Sequence, residues 1–173
     1  VSNRKLLQIV ILLAVVAIGV YTIGGSLFMS DKQEPPKAKE PMPNFTLTDA
    51  SGKQVSLEDF KGKPVIVNFW GTFCPPCVEE TPALQRQYEK WKQEGLVIIG
   101  VNLDEEPIRV ESFTRQFGVT YPVVIDKDLE LAERFGVFQY PTTFFVNRDG
   151  VIQDIFVGGM QEPYIENMVG AIR

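Results

Sequence analysis

The chain has 173 residues, 45% of them apolar and 23% charged, with a formal charge of −5 and no histidine. That length and balance suit one globular domain with an appendage and exclude a disordered polymer, and the acidity leaves no basic footprint for nucleic acid. Without histidine there is no Ser-His-Asp or Cys-His nucleophile system, no haem attachment through C-x-x-C-H, and no imidazole to complete a zinc site.

Leu6 to Met29 is apolar, uncharged and interrupted only by Gln8, Tyr21, Thr22 and Ser26. A helix of that length reaches about 36 Å, against a hydrocarbon core of about 30 Å, and exceeds the apolar core of a signal peptide. Residues 1–30 are therefore expected to be a retained membrane anchor, one transmembrane helix. Gly24-Gly25-Ser26 offers a small-residue cleavage site as the alternative. Arg4 and Lys5 crowd the first flank while Lys32, Lys37 and Lys39 follow on the other side, so a count of bases is nearly even; the shorter, denser first flank favours that end as cytoplasmic, with the rest of the chain outside. Residues 31–43 (DKQEPPKAKEPMP) combine charge with proline and predict an extended spacer.

The domain expected over 44–173 begins with alternating Phe45–Thr48, turn chemistry at Asp49–Gly52 and a returning strand at Lys53–Ser56, a hairpin. Ser56 caps a single helical turn through Phe60. Pro64 to Gly71 reads as a buried central strand. A helix should begin at Cys74 or Pro75, with Leu84, Tyr88 and Trp91 as its buried stripe, a kink at Pro82 and a stop at Gly95. Leu96–Asn102 is a second buried strand. Asp104, Glu105, Glu106 and Pro107 open a further helix, where acids complement the dipole; a metal site there is the weaker reading. Tyr121–Ile125 predicts a strand, Asp128–Phe135 a short helix, and Thr142–Val157 a hairpin turning at Arg148-Asp149-Gly150. Glu162-Pro163 starts the last helix. The predicted fold is α/β, a mixed sheet with helices on both faces.

Cys74 and Cys77 are the only cysteines. Two thiols three positions apart at a strand-to-helix junction are placed to open and close a disulfide. Cys74, at the helix start, is favoured as the thiolate nucleophile, and Cys77, one turn inward, as the resolving thiol. A purely structural bridge would close so short a loop that it constrained little chain. Helical spacing sets Glu80 about one turn beyond the pair, where a partly buried carboxyl can take the proton from Cys77.

Phe69-Trp70-Gly71-Thr72-Phe73-Cys74-Pro75-Pro76-Cys77, then Pro82, then Tyr140-Pro141-Thr142-Thr143 resemble the thioredoxin fold. More narrowly, residues 43–173 resemble the membrane-anchored, extracytoplasmic thiol-disulfide oxidoreductases of the ResA/TlpA type. The N-terminal hairpin, an αβ insertion near 104–125 and Asn147-Arg148-Asp149-Gly150 fit that group. The resemblance implies reduction of disulfides in partner proteins, typically apocytochrome c before haem attachment, with a spore-envelope role in some relatives. It implies a membrane dithiol protein as electron donor and no cofactor beyond the Cys74–Cys77 disulfide. It points to Glu80 independently and implies a cis bond at Tyr140-Pro141. Trp70, Phe73, Tyr140 and Gly159 are the expected substrate-contact positions. Three residues depart from the pattern. Phe73 stands where many members have Trp, Pro75-Pro76 where the ResA type often has Glu-Pro, and Asn68 where thioredoxin has a buried Asp. A thiol peroxidase of related fold and a copper- or zinc-binding chaperone are the competing readings. The first is weakened by the lack of Arg near the cysteines, the second by the lack of His.

Overall fold

The structure is a computed structural model and describes residues 3–28 and 34–173. Helix α1, Asn3–Phe28, forms one unit, and the chain from Glu34 onward forms another. Among the described residues no helix is long and apolar enough to cross a membrane. The described side chains of α1 end at Gly19, so the expected span over Leu6–Met29 lies partly outside the described residues. Those described include Val10, Ile11, Leu12 and Leu13, each more than half exposed.

The second unit is built on a seven-stranded mixed sheet in the order β2-β1-β5-β4-β3-β6-β7. The strands are β1 Thr46–Asp49, β2 Gln54–Ser56, β3 Val65–Trp70, β4 Val97–Leu103, β5 Val123–Asp126, β6 Thr142–Val146 and β7 Ile152–Val157. The helices are α2 Pro75–Trp91, α3 Pro107–Phe117, α4 Glu130–Arg134 and α5 Glu162–Ile172. β3, β4 and β5 run parallel, because helical crossovers join them. The hairpins β1–β2 and β6–β7 close the two sides antiparallel. The insertion expected near 104–125 is α3 and β5, and β5 is the strand that joins the N-terminal hairpin to the rest.

β3 and β4 are buried along their whole length, as strands covered on both faces must be. Val65, Val67 and Phe69 point into one core with Phe45, Phe135 and Phe144. Ile66 and Ile98 point into the other, under α2 and α5, with Leu84, Ile165 and Val169. A third cluster gathers Trp70, Cys74, Cys77, Val110 and Phe113 at the carboxyl end of β3. Gly100 lets the Trp70 indole lie against β4: a Cβ there would meet Trp70 Nε1 at 2.9 Å.

Some expectations shift. β5 starts two residues later than the apolar run from Tyr121, since Pro122 has no N–H to give the ladder, although its carbonyl accepts the Gly100 N–H at 2.9 Å, and Tyr121 turns into the core beneath α2. The short helix expected over 128–135 is a 3₁₀ turn, Lys127–Leu129, followed by α4; Asp128 and Leu129 have φ of +55° and +60° and break the two apart. Pro82 lies inside α2 without ending it, and the Thr81 hydroxyl donates to the Cys77 carbonyl at 2.8 Å. Residues 34–43 do not stand off as a spacer. Pro36 and Met42 are buried, and the backbone bonds Lys39 N to Ile152 O (2.7 Å), Ile152 N to Glu40 O (2.9 Å) and Met42 N to Gly150 O (2.8 Å) tie the segment along β7.

Candidate active site

β3 ends at Trp70, and a turn delivers the chain to α2, with Cys74 N–H donating to Gly71 O at 3.2 Å. Cys74 is the N-cap of α2 with extended backbone, φ −100° and ψ 105°. Cys74 and Cys77 form a disulfide with their Cα atoms 5.3 Å apart. Cys74 is 7% exposed and Cys77 fully buried, so an incoming thiolate reaches Cys74 first. The helix start is poorer in donors than the dipole argument presumes. Pro75 and Pro76 bring no N–H, the Cys74 N–H is engaged with Gly71, and the Val78 N–H is engaged with Cys74 O. The Cys77 N–H is the first-turn donor left for a thiolate on Cys74.

Glu80 lies one turn beyond Cys77 and is 2% exposed. Asn68 Nδ2 donates to its Oε1 at 2.8 Å and the Met160 N–H to its Oε2 at 2.9 Å. Burial pushes the carboxyl up to about 7, against the pull of the Met160 and Asn68 hydrogen bonds. Asn68, on β3, is itself held by a second bond from Nδ2 to Thr143 Oγ1 at 2.9 Å. The position where a buried acid was expected by likeness thus holds an amide, and that amide supports an acid on the neighbouring helix. Burial and the Glu80 charge together raise the Tyr121 hydroxyl well above the usual tyrosine range.

The Tyr140–Pro141 bond is cis, Pro141 is buried, and its carbonyl accepts the Gly158 N–H at 2.8 Å. Tyr140 is half-buried and packs against the cysteine cluster. Gly159 comes so close to Pro76 that a Cβ would sit 3.0 Å from the proline Cβ. Phe73 is 59% exposed and offers an apolar surface beside the cysteines. Trp70 does not: it is 4% exposed and lies against Phe113, ring centroids 4.7 Å apart, so it belongs to the core rather than to a contact face. The sequence reading missed two contributors. The Met160 N–H carries no side-chain signal. Glu105, grouped with its neighbours as a solvated helix start, reaches back to Thr72 in the turn before Cys74. Asp104 instead pairs with Lys127 at 2.7 Å. Among the described residues no three His, Cys, Asp or Glu side chains come together as metal ligands.

Residues 38–155 match the model of the AhpC/TSA family. A thiol-disulfide oxidoreductase ResA of Bacillus thuringiensis subsp. konkukian is 41% identical over 155 residues, covering 89% of this chain and 88% of the relative. The ResA of Bacillus subtilis is 37% identical over 172 residues, 99% of this chain and 95% of its own. Among solved structures, a putative thiol:disulfide interchange protein DsbE from Chlorobium tepidum superposes with a TM-score of 0.73 at 27% identity, over 79% of this chain and 97% of that one.

Proposed function

The chain belongs to the AhpC/TSA family and, within it, to the ResA thiol-disulfide oxidoreductases, and from that premise we propose that it reduces disulfides of apocytochrome c outside the cytoplasm. The observation that carries the reading is the layered order of the site: Cys74 at the surface, Cys77 beneath it, and Glu80 buried one turn further with a carboxyl poised about 7. The Cys74 thiolate attacks one sulfur of a partner disulfide. That S–S bond breaks, a mixed disulfide forms, and the departing sulfur takes up a proton. Cys77 then gives its proton to Glu80 and attacks Cys74 Sγ. The mixed disulfide breaks, the second partner sulfur leaves as a thiolate, and two electrons have passed to the partner. The protein is left as the Cys74–Cys77 disulfide, which a membrane dithiol donor reduces again. No cofactor enters the exchange.

Glu80 acts as the proton acceptor because a carboxyl poised near neutrality can both take and return a proton. Phe73, Tyr140 and Gly159 border the approach to Cys74, and Tyr140, which precedes the β6 ladder, offers backbone to an extended peptide. α1 anchors the protein. Among the described residues, Val10 to Leu13, Val15, Val16 and Ile18 expose apolar side chains, a surface suited to lipid, and Arg4 and Lys5 hold its first end in the cytoplasm.

The test is a Cys77→Ala variant of the full chain expressed in cells that make c-type cytochromes. Without the resolving thiol, partners should accumulate on Cys74 as mixed disulfides that dithiothreitol releases. Recovery of apocytochrome c supports the reading. Recovery of spore-envelope proteins without apocytochrome c overturns the substrate, and recovery of no mixed disulfide overturns the assignment of Cys74.

A further inference from the structure

We propose that Glu105 is a positioning residue for the exchange: it clamps the turn that presents Cys74. The turn runs from Gly71 to Cys74, with Thr72 half-buried and Phe73 exposed at its corner. Its outer corner is gripped from a different element. The Thr72 backbone N–H donates to Glu105 Oε2 at 2.7 Å, and the Thr72 hydroxyl donates to Glu105 Oε1 at 2.5 Å. Both carboxylate oxygens are thus used on one residue, two positions before the nucleophile. Charge-assisted pairs of this kind are the strong ones, and two together fix an orientation as well as a distance.

The grip is itself held. Asn102, fully buried on β4, donates from Nδ2 to Glu105 Oε2 at 2.8 Å and accepts the Glu105 N–H on Oδ1 at 3.1 Å. Asn102 is the parallel-ladder partner of Trp70, the residue that ends β3 and enters the turn. A closed circuit results: β3, turn, Glu105, Asn102 and back to β3. Arg109, one helical turn on, lies 4.0 Å from Oε1 but is mostly exposed, while the Glu105 side chain is 8% exposed. An acid at a solvated helix start needs none of this. The clamp links the αβ insertion to the reacting sulfur, so the segment between β4 and α3 sets where Cys74 Sγ stands when a partner disulfide arrives. Small displacements of a reacting atom cost large factors in rate.

The inference rests on Cys74 being the attacking thiol, and the experiment separates the two. In the full chain, reduced, the rate of reduction of a protein disulfide and the rate of iodoacetamide alkylation are followed against pH, with the alkylated cysteine identified by mass spectrometry. Glu105→Gln should slow protein-disulfide reduction about tenfold at high pH, where the thiol is fully ionised. Loss of a negative charge alone would raise the thiolate fraction at neutral pH and speed the reaction, which is the opposite sign. Thr72→Val, which alters no charge, should slow it in the same direction, and Thr72→Ser should keep the parental rate. If Glu105→Gln does not fold, the Thr72 pair decides. Limiting rates within twofold of the parent in Glu105→Gln, or in Thr72→Val where it decides, would overturn the clamp. Alkylation first at Cys77 would overturn the premise instead.

Discussion

A carboxyl group at 2% exposure, fed by one amide and one backbone N–H, is expensive to ionise, and Glu80 is placed so. Its folded value of about 7 lies above the usual carboxylate range of 4.5, so between those limits the folded state holds more protons than the unfolded chain. Stability therefore falls as pH rises from 4.5 to 7, by at most about 3 kcal/mol, and is flat outside that window for this group. Glutamine imitates the protonated acid. Glu80→Gln should leave stability near pH 4.5 unchanged within about 1 kcal/mol, raise it at pH 8, and slow disulfide exchange across the neutral range; urea midpoints at the two pH values read the first effect. Equal differences at both pH values would show that Glu80 is not titrating within the fold. The residue was legible beforehand because a helix returns the same face every three to four positions. Its partners were not. Asn68 looked like a lost acid, since a sequence lists what stands at a position and not which neighbour it serves. Glu105 was invisible for the same reason: its partner Thr72 is brought to it across the β3–β4 ladder.

At the scale of elements, the two prolines that open α2 decide how strongly the helix start favours an anion. Proline fits the first turn because its missing N–H would have no helical partner. At an anion site the same absence removes a donor. The strand-to-helix junction itself was readable from the apolar run and the breakers around it. What two adjacent prolines do to the donor count became visible only once the Cys74 and Val78 N–H groups were seen to be engaged. Pro76→Ala keeps the Cβ that faces Gly159 and restores one N–H at the second helical position. The midpoint of Cys74 alkylation should fall by roughly half a pH unit, the equivalent of about 0.3–1 kcal/mol of dipole and donor stabilisation. The variant should lose about 0.4–1 kcal/mol of stability through its freer unfolded chain. A midpoint that does not move would mean the restored N–H is turned away from the sulfur. The strands β3 and β4 needed no such correction, because continuous apolar runs admit little else. α4 did, because a five-residue helix is too short for its period to be heard.

At the scale of the whole molecule, the proline-rich stretch before the domain is the feature that composition described least well. Charge and proline are what a spacer needs, and they are equally what an edge-strand cover needs: proline offers no N–H to a stray strand, and charge keeps the outer side wet. β7 is the last strand of the sheet, so its outer edge would be open without residues 34–43. Lys39 and Glu40 take up the backbone of Ile152, Pro41 pairs with Val151, and Met42 enters the main core at 8% exposure. Two apolar residues, Ala38 and Met42, in a charged run of thirteen give too weak a period to distinguish docking from tethering. A spacer and a docked strap differ in hydrogen exchange. If the segment is docked, the amides of Lys39, Met42 and Ile152 exchange only with opening of the domain, so their protection tracks its global stability. Met42→Ala should then lower that stability by about 2–3 kcal/mol, the cost of emptying a buried methionine site. A tethered spacer predicts a change under about 0.5 kcal/mol and amides that exchange as fast as those of a free peptide, and that pair of results would detach residues 34–43 from the domain.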